Sequence, residues 1–570
     1  MPIRAIPPAL ALAALTTAAL AGPALAGRGG DGDLRVLYWQ APTVLNPYLS
    51  TGSKDVDPAS MVIEPLALVA PDGSLSPVLA AAIPSLENGG IAADYTSVTW
   101  RLKPGLVWSD GSPVTAEDVK FTAEYCMDPG FGCAVLQEFE GITSVEALDD
   151  LTVRLNFSAP KYAPLQAFVG GRTPILQKAQ FAACKGAAGV SCTAQNFGPI
   201  GTGPYRVTDF RPGDLAQFAI NPTYRDAAKP AFDRVTVKGG GDAMAAARAV
   251  LESAEVDFAW NLQLPPEAVS AMEAAGKGRV VASFGAMVER IDLNQTNPSP
   301  SLPEGERSTL MHPHPFLTDP AVRKALSMAI DRQVIAELAY GPAGRPTCTI
   351  TPVPAGYAPA AQDCLTQDLD GARAVLERAG WLPGPDGVRQ KDGQRLSMLL
   401  QTTVNPVRQD EQALIKQWWS EIGVETELKA VDGASFFGAD PGNPDSQARF
   451  QADAEMYTDA YYLPDPASFL SKFTCARIPS PATQWQGNNT PRFCDADYDA
   501  GIAALHATAD IARRQEIAKQ LEARLIGDGH YALPLIHRGM VSAHVNTLAG
   551  ILPNGWEGQL WNVADWSRTK

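Results

Sequence analysis

The sequence predicts an α/β protein that is divided into more than one lobe. With 570 residues, the chain is too long for one hydrophobic core, and two or three lobes are expected. The stretch from Val98 to Tyr125 reads as strand, turn, strand, turn and helix. In the second half of the chain, a helical stripe ends at Gly423 and an alternating strand follows from Val424 to Leu428, which is the rhythm of α/β folds.

Local physical chemistry accounts for each element of the stretch Val98–Tyr125. Apolar and polar side chains alternate from Val98 to Leu102, as in a half-buried strand. Asp110-Gly111 marks a tight turn, because glycine accepts the positive φ that such turns need. Thr115 is placed to cap a helix, with Asp118 three residues later as its capping-box partner.

The same periodicities place the other elements along the chain. Alternation predicts strands, and apolar stripes behind a capping Asp or before a terminal Gly predict helices. The predicted strands are Leu34–Trp39, Leu151–Phe157, Glu255–Ala259, Val424–Leu428 and Tyr531–Leu535. The predicted helices are 243–251 capped by Asp242, 320–330 capped by Asp319, 370–380 ending at Gly380, 414–422 ending before Gly423, and 517–525.

The N-terminus predicts export. Arg4 precedes an apolar run from Ala9 to Ala21, and an Ala-x-Ala cleavage site ends at Ala26. The run is shorter than the roughly 20 residues that a membrane span needs. No cysteine follows the predicted cut, so a lipid anchor is not expected. We therefore expect a periplasmic mature protein from which residues 1–26 have been removed as a signal peptide.

Composition and charge exclude two classes of protein. Apolar residues make up 45% of the chain, which is ordinary for a folded domain and argues against disorder. The 46 Lys and Arg residues against 62 Asp and Glu residues give a net charge of −16. Phosphate backbones would be repelled by such a surface, so nucleic acid is not expected as a partner.

The eight cysteines fall into four pairs of near neighbours. No pair forms Cys-x-x-Cys, so a zinc ribbon or a redox motif is not expected. Eight cysteines allow on the order of a hundred pairings, and we predict that each joins its neighbour. The predicted disulfides are Cys126 with Cys133, Cys184 with Cys192, Cys348 with Cys364, and Cys475 with Cys494.

Catalytic and metal-binding motifs are absent from the sequence. There is no Gly-x-Ser-x-Gly, no His-Glu-x-x-His and no phosphate-binding loop that ends in Gly-Lys-Ser/Thr. His312 and His314, separated by a proline, are the one metal-like pair, and no third ligand is near them in sequence. We expect a protein that is not an enzyme and has no cofactor; a secreted hydrolase with scattered catalytic groups is the remote alternative.

Several motifs together resemble one family. Trp100–Val119 matches W-x-L-(K/R)-x-G-x-x-(W/F)-S-D-G-x-P-(V/L)-T-A-x-D-V, the identifying stretch of the family 5 extracytoplasmic solute-binding proteins, which serve ABC importers of peptides, nickel and some sugars or opines. Further matches occur in family order. They are Leu45–Pro47, Pro65–Ala82, Gly198–Tyr205, Pro315–Arg332 and Tyr531–Leu535. Ala254 departs from the family pattern, which usually has Gly at this position.

The resemblance implies a two-lobed α/β periplasmic binding protein with an extra inserted subdomain. Lobe I would comprise residues 27–75, 200–285 and 546–570, and the inserted subdomain residues 76–199. Lobe II would comprise residues 286–545, with hinge strands near 288–293 and 541–545. A solute would be captured between the lobes.

The resemblance also implies where the solute binds. The stretch Met456–Pro466 is similar to the family's W-x-x-D-Y-x-D-P loop, in which the first Asp pairs with a peptide's α-ammonium. Tyr462 stands at that position here, and Asp459 is the nearest substitute. The other candidate ligand contacts are Trp39, Gln40, Arg408, Tyr461, Trp485 and Asn488, of which Arg408 has helix orientation and the tyrosines have ordinary packing as alternatives.

The expected function is the substrate-binding component of an ABC import system. Its solute would be a peptide, or alternatively a sugar, an opine or a nickel chelate, because aromatic side chains also stack on sugar rings. Its macromolecular partners would be the permease subunits in the membrane. We expect a monomer.

Overall fold

A computed structural model describes residues 27–50, 52–359, 363–438 and 441–569. The predicted signal peptide, residues 1–26, lies outside these ranges. Within the described ranges, every helix is too short or too polar to cross a bilayer.

A seven-stranded sheet forms the centre of what we call lobe I. Its first strand, Asp33–Tyr38, buries Leu34, Val36 and Tyr38 and pairs in parallel with the strands on both sides. From edge to edge the sheet contains Gly278–Ser283, Met540–Val545, Phe258–Ala259, Asp33–Tyr38, Arg234–Gly239, Leu215–Ile220 and Tyr205–Arg211.

Strand Met540–Val545, which the resemblance assigns to the hinge end of lobe II, pairs within the lobe I sheet. Residues 540–545 were expected at the end of lobe II, but Met540–Val545 lies inside the lobe I sheet, antiparallel to Gly278–Ser283 and Phe258–Ala259. A single residue, Gly539, separates this strand from strand Ala532–Arg538 of the other sheet, so the chain passes between the two sheets at this point.

A six-stranded sheet forms the centre of lobe II. Strand Val288–Leu293 is buried at every position and has antiparallel neighbours on both sides, whereas the three strands at the other edge run parallel to one another. From edge to edge the sheet contains Gly344–Pro346, Ala532–Arg538, Val288–Leu293, Ala454–Asp459, Ser397–Thr403 and Glu425–Val431.

Four small sheets complete the strand inventory. The inserted subdomain has a three-stranded antiparallel sheet of Ser97–Arg101, Thr152–Phe157 and Ile142–Asp149. The others are Ala67–Val69 with Leu75–Pro77, Leu382–Pro383 with Arg389–Lys391 and Gln394–Arg395, and Leu548–Ala549 with Ser567–Arg568.

The helices surround the sheets. Lobe I and the inserted subdomain contain Ser53–Ser60, Ala116–Met127, Lys178–Phe181, Thr193–Phe197, Ala243–Leu251 and Pro266–Glu273. The rest of the described chain contains Pro320–Met328, Arg332–Ile335, Leu369–Arg378, Pro406–Glu421, Gly433–Phe436, Ala467–Leu470, Ala496–His506 and Ile511–Glu522.

Helix caps decide where several of these helices begin. Thr115 and Asp118 form the predicted capping box at the start of Ala116–Met127. Asp319 and Asp242 also cap as predicted. The helix predicted over 370–380 instead begins at Leu369, because the side chain of Asp368 accepts the hydrogen bond from Gly371 N.

Close backbone approach explains the glycines of the motif Gly198–Tyr205. A Cβ at Gly201 would lie 1.8 Å from Val62 O, and one at Gly203 would lie 2.4 Å from Met61 O. The motif leads from the inserted subdomain into strand Tyr205–Arg211 of lobe I.

The cysteines and histidines have structural partners. All eight cysteines form disulfides in the predicted neighbour pairing. Nε2 of His312 lies 2.7 Å from Glu306 Oε2, and Nε2 of His314 lies 2.8 Å from Asp453 Oδ1. Among the described residues, no group of three His, Cys, Asp or Glu side chains is arranged to hold a metal ion.

The hydrophobic core shows how closely the two lobes are associated. One buried cluster fills the centre of lobe II. A larger cluster runs through lobe I and the inserted subdomain and continues into residues 461–526 of lobe II. The lobes therefore share packed apolar surface as well as polar contacts.

Candidate functional site

The two large sheets point the carboxyl ends of their parallel strands toward a common cleft. In lobe I, strand Asp33–Tyr38 leads directly into Trp39; in lobe II, strands Ser397–Thr403 and Ala454–Asp459 run parallel to each other. The terminal amide atoms of Gln263, from lobe I, lie 2.6 Å from Asn405 Nδ2 and 2.6 Å from a guanidinium nitrogen of Arg538, both in lobe II. Open α/β sheets bind ligands at such strand ends.

Trp39 and Gln40 lie on the lobe I side of the cleft, directly after the first strand. The Trp39 indole is half-buried and donates from Nε1 to Asn261 O at 3.0 Å. Its ring centroid is 6.3 Å from that of buried Trp260. The Gln40 side chain is exposed. Both residues therefore lie at the carboxyl end of a lobe I strand, with at least part of each side chain exposed.

Arg408 is occupied within lobe II. Its guanidinium donates to both carboxylate oxygens of Glu289, at 2.7 and 3.2 Å, and to the hydroxyl groups of Thr403 and Thr458 at 2.8 and 3.0 Å. Both Arg408 and Glu289 are buried. Arg408 therefore links the start of helix Pro406–Glu421 to strand Val288–Leu293. This contact agrees with the alternative role of Arg408, which is to orient the helix.

Asp459 already has two cationic partners. Its carboxylate accepts from Arg290 Nη1 at 3.0 Å and from Lys472 Nζ at 3.1 Å. Burial favours the protonated form, but the charges of Lys472 and Arg290 outweigh it and hold the pKa of Asp459 at about 2. The predicted substitute for the family's ammonium-binding Asp is thus neutralised by side chains of its own lobe.

The two adjacent tyrosines have different surroundings. Tyr461 is buried, donates its hydroxyl hydrogen to Val353 O, and lies 5.1 Å from the ring of Phe469. Tyr462 is 37% exposed, and the guanidinium of Arg172 lies over its ring at 4.1 Å. Tyr461 is therefore part of the core, whereas Tyr462 lies at the boundary between the lobes.

Trp485 and Asn488 lie on one loop. Trp485 is buried, with the Arg449 guanidinium 4.5 Å above its ring. Asn488 reaches the inserted subdomain, where its Nδ2 donates to Gln137 Oε1 at 3.3 Å. Of the two, Asn488 makes the contact between lobes.

Two further segments, one near the lobe II strand ends and one that faces lobe II, were not predicted from the sequence. Phe437 is 53% exposed, and its ring lies 4.9 Å from Phe436 and 6.4 Å from Tyr457 at the carboxyl ends of the lobe II strands. The inserted subdomain contributes a short 3-10 helix, Leu136–Phe139, which faces lobe II. Neither segment has a composition that distinguishes it from an ordinary loop, so no sequence signal marks them.

Comparisons with known proteins agree with this architecture. The family model described as bacterial extracellular solute-binding proteins, family 5, middle region, matches residues 75–478. Protein XP55 of Streptomyces lividans is 27% identical over 562 residues, which are 98% of this chain and 92% of the relative. The glutathione-binding protein GsiB of Salmonella paratyphi A is 24% identical over 549 residues, 96% of each chain.

A solved structure confirms the predicted two-lobed α/β fold. The oligopeptide-binding protein AppA of Bacillus subtilis, solved in complex with a nonapeptide, superposes with a TM-score of 0.77 at 22% sequence identity. The match covers 96% of this chain and 100% of AppA. Since the family model alone spans well over half of the sequence, the chain belongs to the family 5 bacterial extracellular solute-binding proteins.

Proposed function

We propose that this protein is the substrate-binding component of an ABC importer, and that it captures a peptide between lobes I and II and passes it to a membrane permease. The observation that carries the proposal is the family match over residues 75–478, in a fold whose two sheets direct their strand ends into one cleft. Two walls that close on a solute remove it from water and hold it from both sides.

The chemistry of the cleft favours a peptide. A peptide carries both signs of charge and apolar side chains, and the described cleft offers partners of each kind. GsiB is named for glutathione and AppA was solved with a nonapeptide, so relatives on this fold take peptides. Near the lobe boundary the available groups are the carboxylate of Glu138 and the partly exposed rings of Trp39, Tyr462 and Phe437, together with Lys472 and Arg172, which bond to Asp459 and lie over Tyr462 respectively.

A sugar, an opine or a nickel chelate is the second candidate. The observation that favours a neutral ring-shaped solute is the partial exposure of Trp39, Tyr462 and Phe437, whose faces suit stacking. In either case binding occurs without turnover. Trp39, Gln40, Tyr462 and Asn488 are the proposed contacts.

The match to a family of extracellular solute-binding proteins supports a location outside the cytoplasm. We infer that residues 1–26 direct export, that cleavage follows Ala26, and that the mature protein is a periplasmic monomer.

Native mass spectrometry of the freshly purified protein tests the proposal directly. We expect a retained mass that tandem fragmentation identifies as a peptide. Adding that compound to ligand-stripped protein should lower the radius of gyration in solution scattering, with the compound recovered unchanged. A retained sugar or chelate would replace the peptide assignment, and chemical conversion of the compound would contradict the binding function.

A further inference from the structure

The edge of the inserted subdomain at residues 136–140 faces lobe II. Gln137 Oε1 accepts from Asn488 Nδ2 at 3.3 Å, and the Glu140 carboxylate pairs with Arg477 at 2.8 Å. Glu138 lies between these two cross-lobe contacts, on the 3-10 helix Leu136–Phe139. It therefore belongs to the surface that meets lobe II.

The carboxylate of Glu138 has an oxygen that no neighbour satisfies. Oε1 accepts a long bond from Gln137 Nε2 at 3.4 Å, while Oε2 is shielded from solvent and receives no hydrogen bond from any described residue. Leaving such an oxygen without a donor is unfavourable, and a buried unpaired group in a native fold calls for a partner that the described residues do not supply.

The nearby cations are engaged elsewhere. Burial raises the pKa of Glu138, opposed by the charges of Arg172, Lys161 and Lys472, so all three are within electrostatic reach. However, Lys472 bonds to Asp459, Lys161 donates to Glu140 O at 2.8 Å, and Arg172 lies over the Tyr462 ring. Glu138 is thus a carboxylate with nearby positive charge but without a bonded cation.

Asp459 and Glu138 differ in the number of cations that bond to their carboxylates. Asp459 has two bonded cations, whereas Oε2 of Glu138 has none among the described residues. Lys472 lies near both carboxylates: it donates a hydrogen bond to Asp459, and its positive charge opposes the rise in the pKa of Glu138. Both carboxylates therefore belong to one polar region between the lobes, and Glu138 is the member that can still accept a hydrogen bond.

We propose that Glu138 on the inserted subdomain, and not Asp459 on lobe II, receives the α-ammonium group of a bound peptide. This inference rests on the proposed function and specifies which carboxylate determines specificity. Tyr462 and Arg172 border the same region, so the first residue of the peptide would lie against them.

Two peptide libraries test this assignment. One contains random pentapeptides without Lys, Arg or His, so that the terminal ammonium is the only cationic group; the other is the same library with acetylated amino termini. Ligand-stripped protein is incubated with each library, separated by gel filtration, and the captured peptides are quantified by mass spectrometry. The variants are Glu138→Gln, Glu138→Asp and Asp459→Asn.

Glu146→Gln is the matched control, because Glu146 is exposed on a strand of the same subdomain. Urea unfolding of every variant checks that the fold is intact. Since Glu138→Gln removes an unpaired buried charge, we expect it to be at least as stable as the unaltered protein.

The expected result is capture of the free library in at least about tenfold excess over the acetylated library, as losing a desolvated charge partner costs at least that factor. Glu138→Gln should abolish this preference, Glu138→Asp should retain part of it, and Glu146→Gln should not change it. If Glu138→Gln keeps the preference and Asp459→Asn loses it, the ammonium is bound by Asp459. Equal capture of both libraries would overturn the role of Glu138 while leaving peptide binding intact, and capture of neither would overturn both.

Discussion

Ala254 has an unusual backbone conformation at a position where the family pattern has glycine. It lies between helix Ala243–Leu251 and strand Phe258–Ala259, and its φ is +57°, in the left-handed region. The family pattern has glycine at this position, and a residue with a Cβ loses about 1–2 kcal/mol in that conformation. The structure thus explains why glycine is usual and what the alanine costs.

Replacing Ala254 with glycine should stabilise the protein. We expect Ala254→Gly to raise the free energy of unfolding by about 0.5–1 kcal/mol, because relief of the left-handed conformation exceeds the entropy that glycine loses. Urea unfolding measures the change. Ala249→Gly, inside helix Ala243–Leu251, is the control and should lower stability by about 1 kcal/mol. A loss of stability in Ala254→Gly would show that this turn does not depend on φ alone.

At the scale of single elements, helix Pro406–Glu421 buries a carboxyl group near the hinge. Glu411 is fully buried, and neither of its carboxyl oxygens receives a hydrogen bond from the described residues. Burial, with a further contribution from the charge of Glu289, raises the pKa of Glu411 to about 8. Arg408, one turn earlier, pairs with Glu289 instead. The helix therefore holds a protonated acid at neutral pH.

The stability of this helix should depend on pH through Glu411. A carboxyl with a raised folded-state pKa stabilises the fold below its unfolded pKa, near 4.5, and this contribution is lost as the pH rises toward 8. Glutamine does not ionise, so the Glu411→Gln variant does not lose this stability as the pH rises. The advantage of the variant in urea unfolding should grow by at least about 1.4 kcal/mol between pH 5 and pH 8, one pKa unit.

The matched control is Glu421→Gln, on the same helix but exposed. Its stability relative to the unaltered protein should stay constant over the same pH range. A constant difference for Glu411→Gln as well would mean that Glu411 remains ionised in the folded protein.

The segment 475–494 is a loop closed by a disulfide, and it contacts the inserted subdomain. Its ends are joined by the disulfide Cys475–Cys494, and the loop between them contains Asn488, which contacts the inserted subdomain. The bridge thus limits the freedom of a loop that must be in place when the lobes meet.

Removing this bridge should affect both stability and binding. Replacing Cys475 and Cys494 by serine should lower the free energy of unfolding by about 3 kcal/mol, since closing a loop of this length constrains the unfolded chain. Affinity for the retained solute should also fall in calorimetric titration. The corresponding Cys184 and Cys192 variant should lose stability but bind normally, and equal binding losses in the two variants would contradict the special role of segment 475–494.

Elements were more predictable from sequence than contacts. The capping box at Thr115 and the alternation in strands depend on residues within a few positions, so the sequence contains the whole signal. The helix predicted from Asp370 begins one residue earlier, at Leu369, because Asp368 is the capping residue. The pairing of Asp459 with Arg290 joins residues 169 positions apart, and no local pattern records it. Likewise, the family pattern predicts an ammonium-binding carboxylate in lobe II and gives no indication of Glu138.

At the scale of the whole molecule, polar contacts join the two sides of the cleft at several points. They include Arg477 with Glu140, Asn488 with Gln137, Ser468 with Gln166, and Asn405 with Gln263. The side chains of Arg477 and Glu140 are 36% and 62% exposed, so their attraction is modest and sensitive to salt. Contacts of this strength can be broken and remade as the lobes open and close.

Reversing one charge of this pair should favour the open form. We expect Arg477→Glu to weaken solute binding by about fivefold, since repulsion of Glu140 replaces attraction, and to increase the radius of gyration measured without ligand. The double variant Glu140→Arg with Arg477→Glu should restore both values, and added salt should reduce the effect of the single variant. Failure of the double variant to recover would show that these side chains do not meet in the closed protein.

The position of strand Met540–Val545 has a consequence for the order in which the protein is completed. This strand is inserted between Gly278–Ser283 and Phe258–Ala259, so it occupies an interior position of the lobe I sheet although ribosomes add it last among the seven strands. Until it arrives, Phe258–Ala259 presents an unpaired edge and Gly278–Ser283 has no neighbour in the sheet. The first lobe to be synthesised is therefore the last that can finish folding.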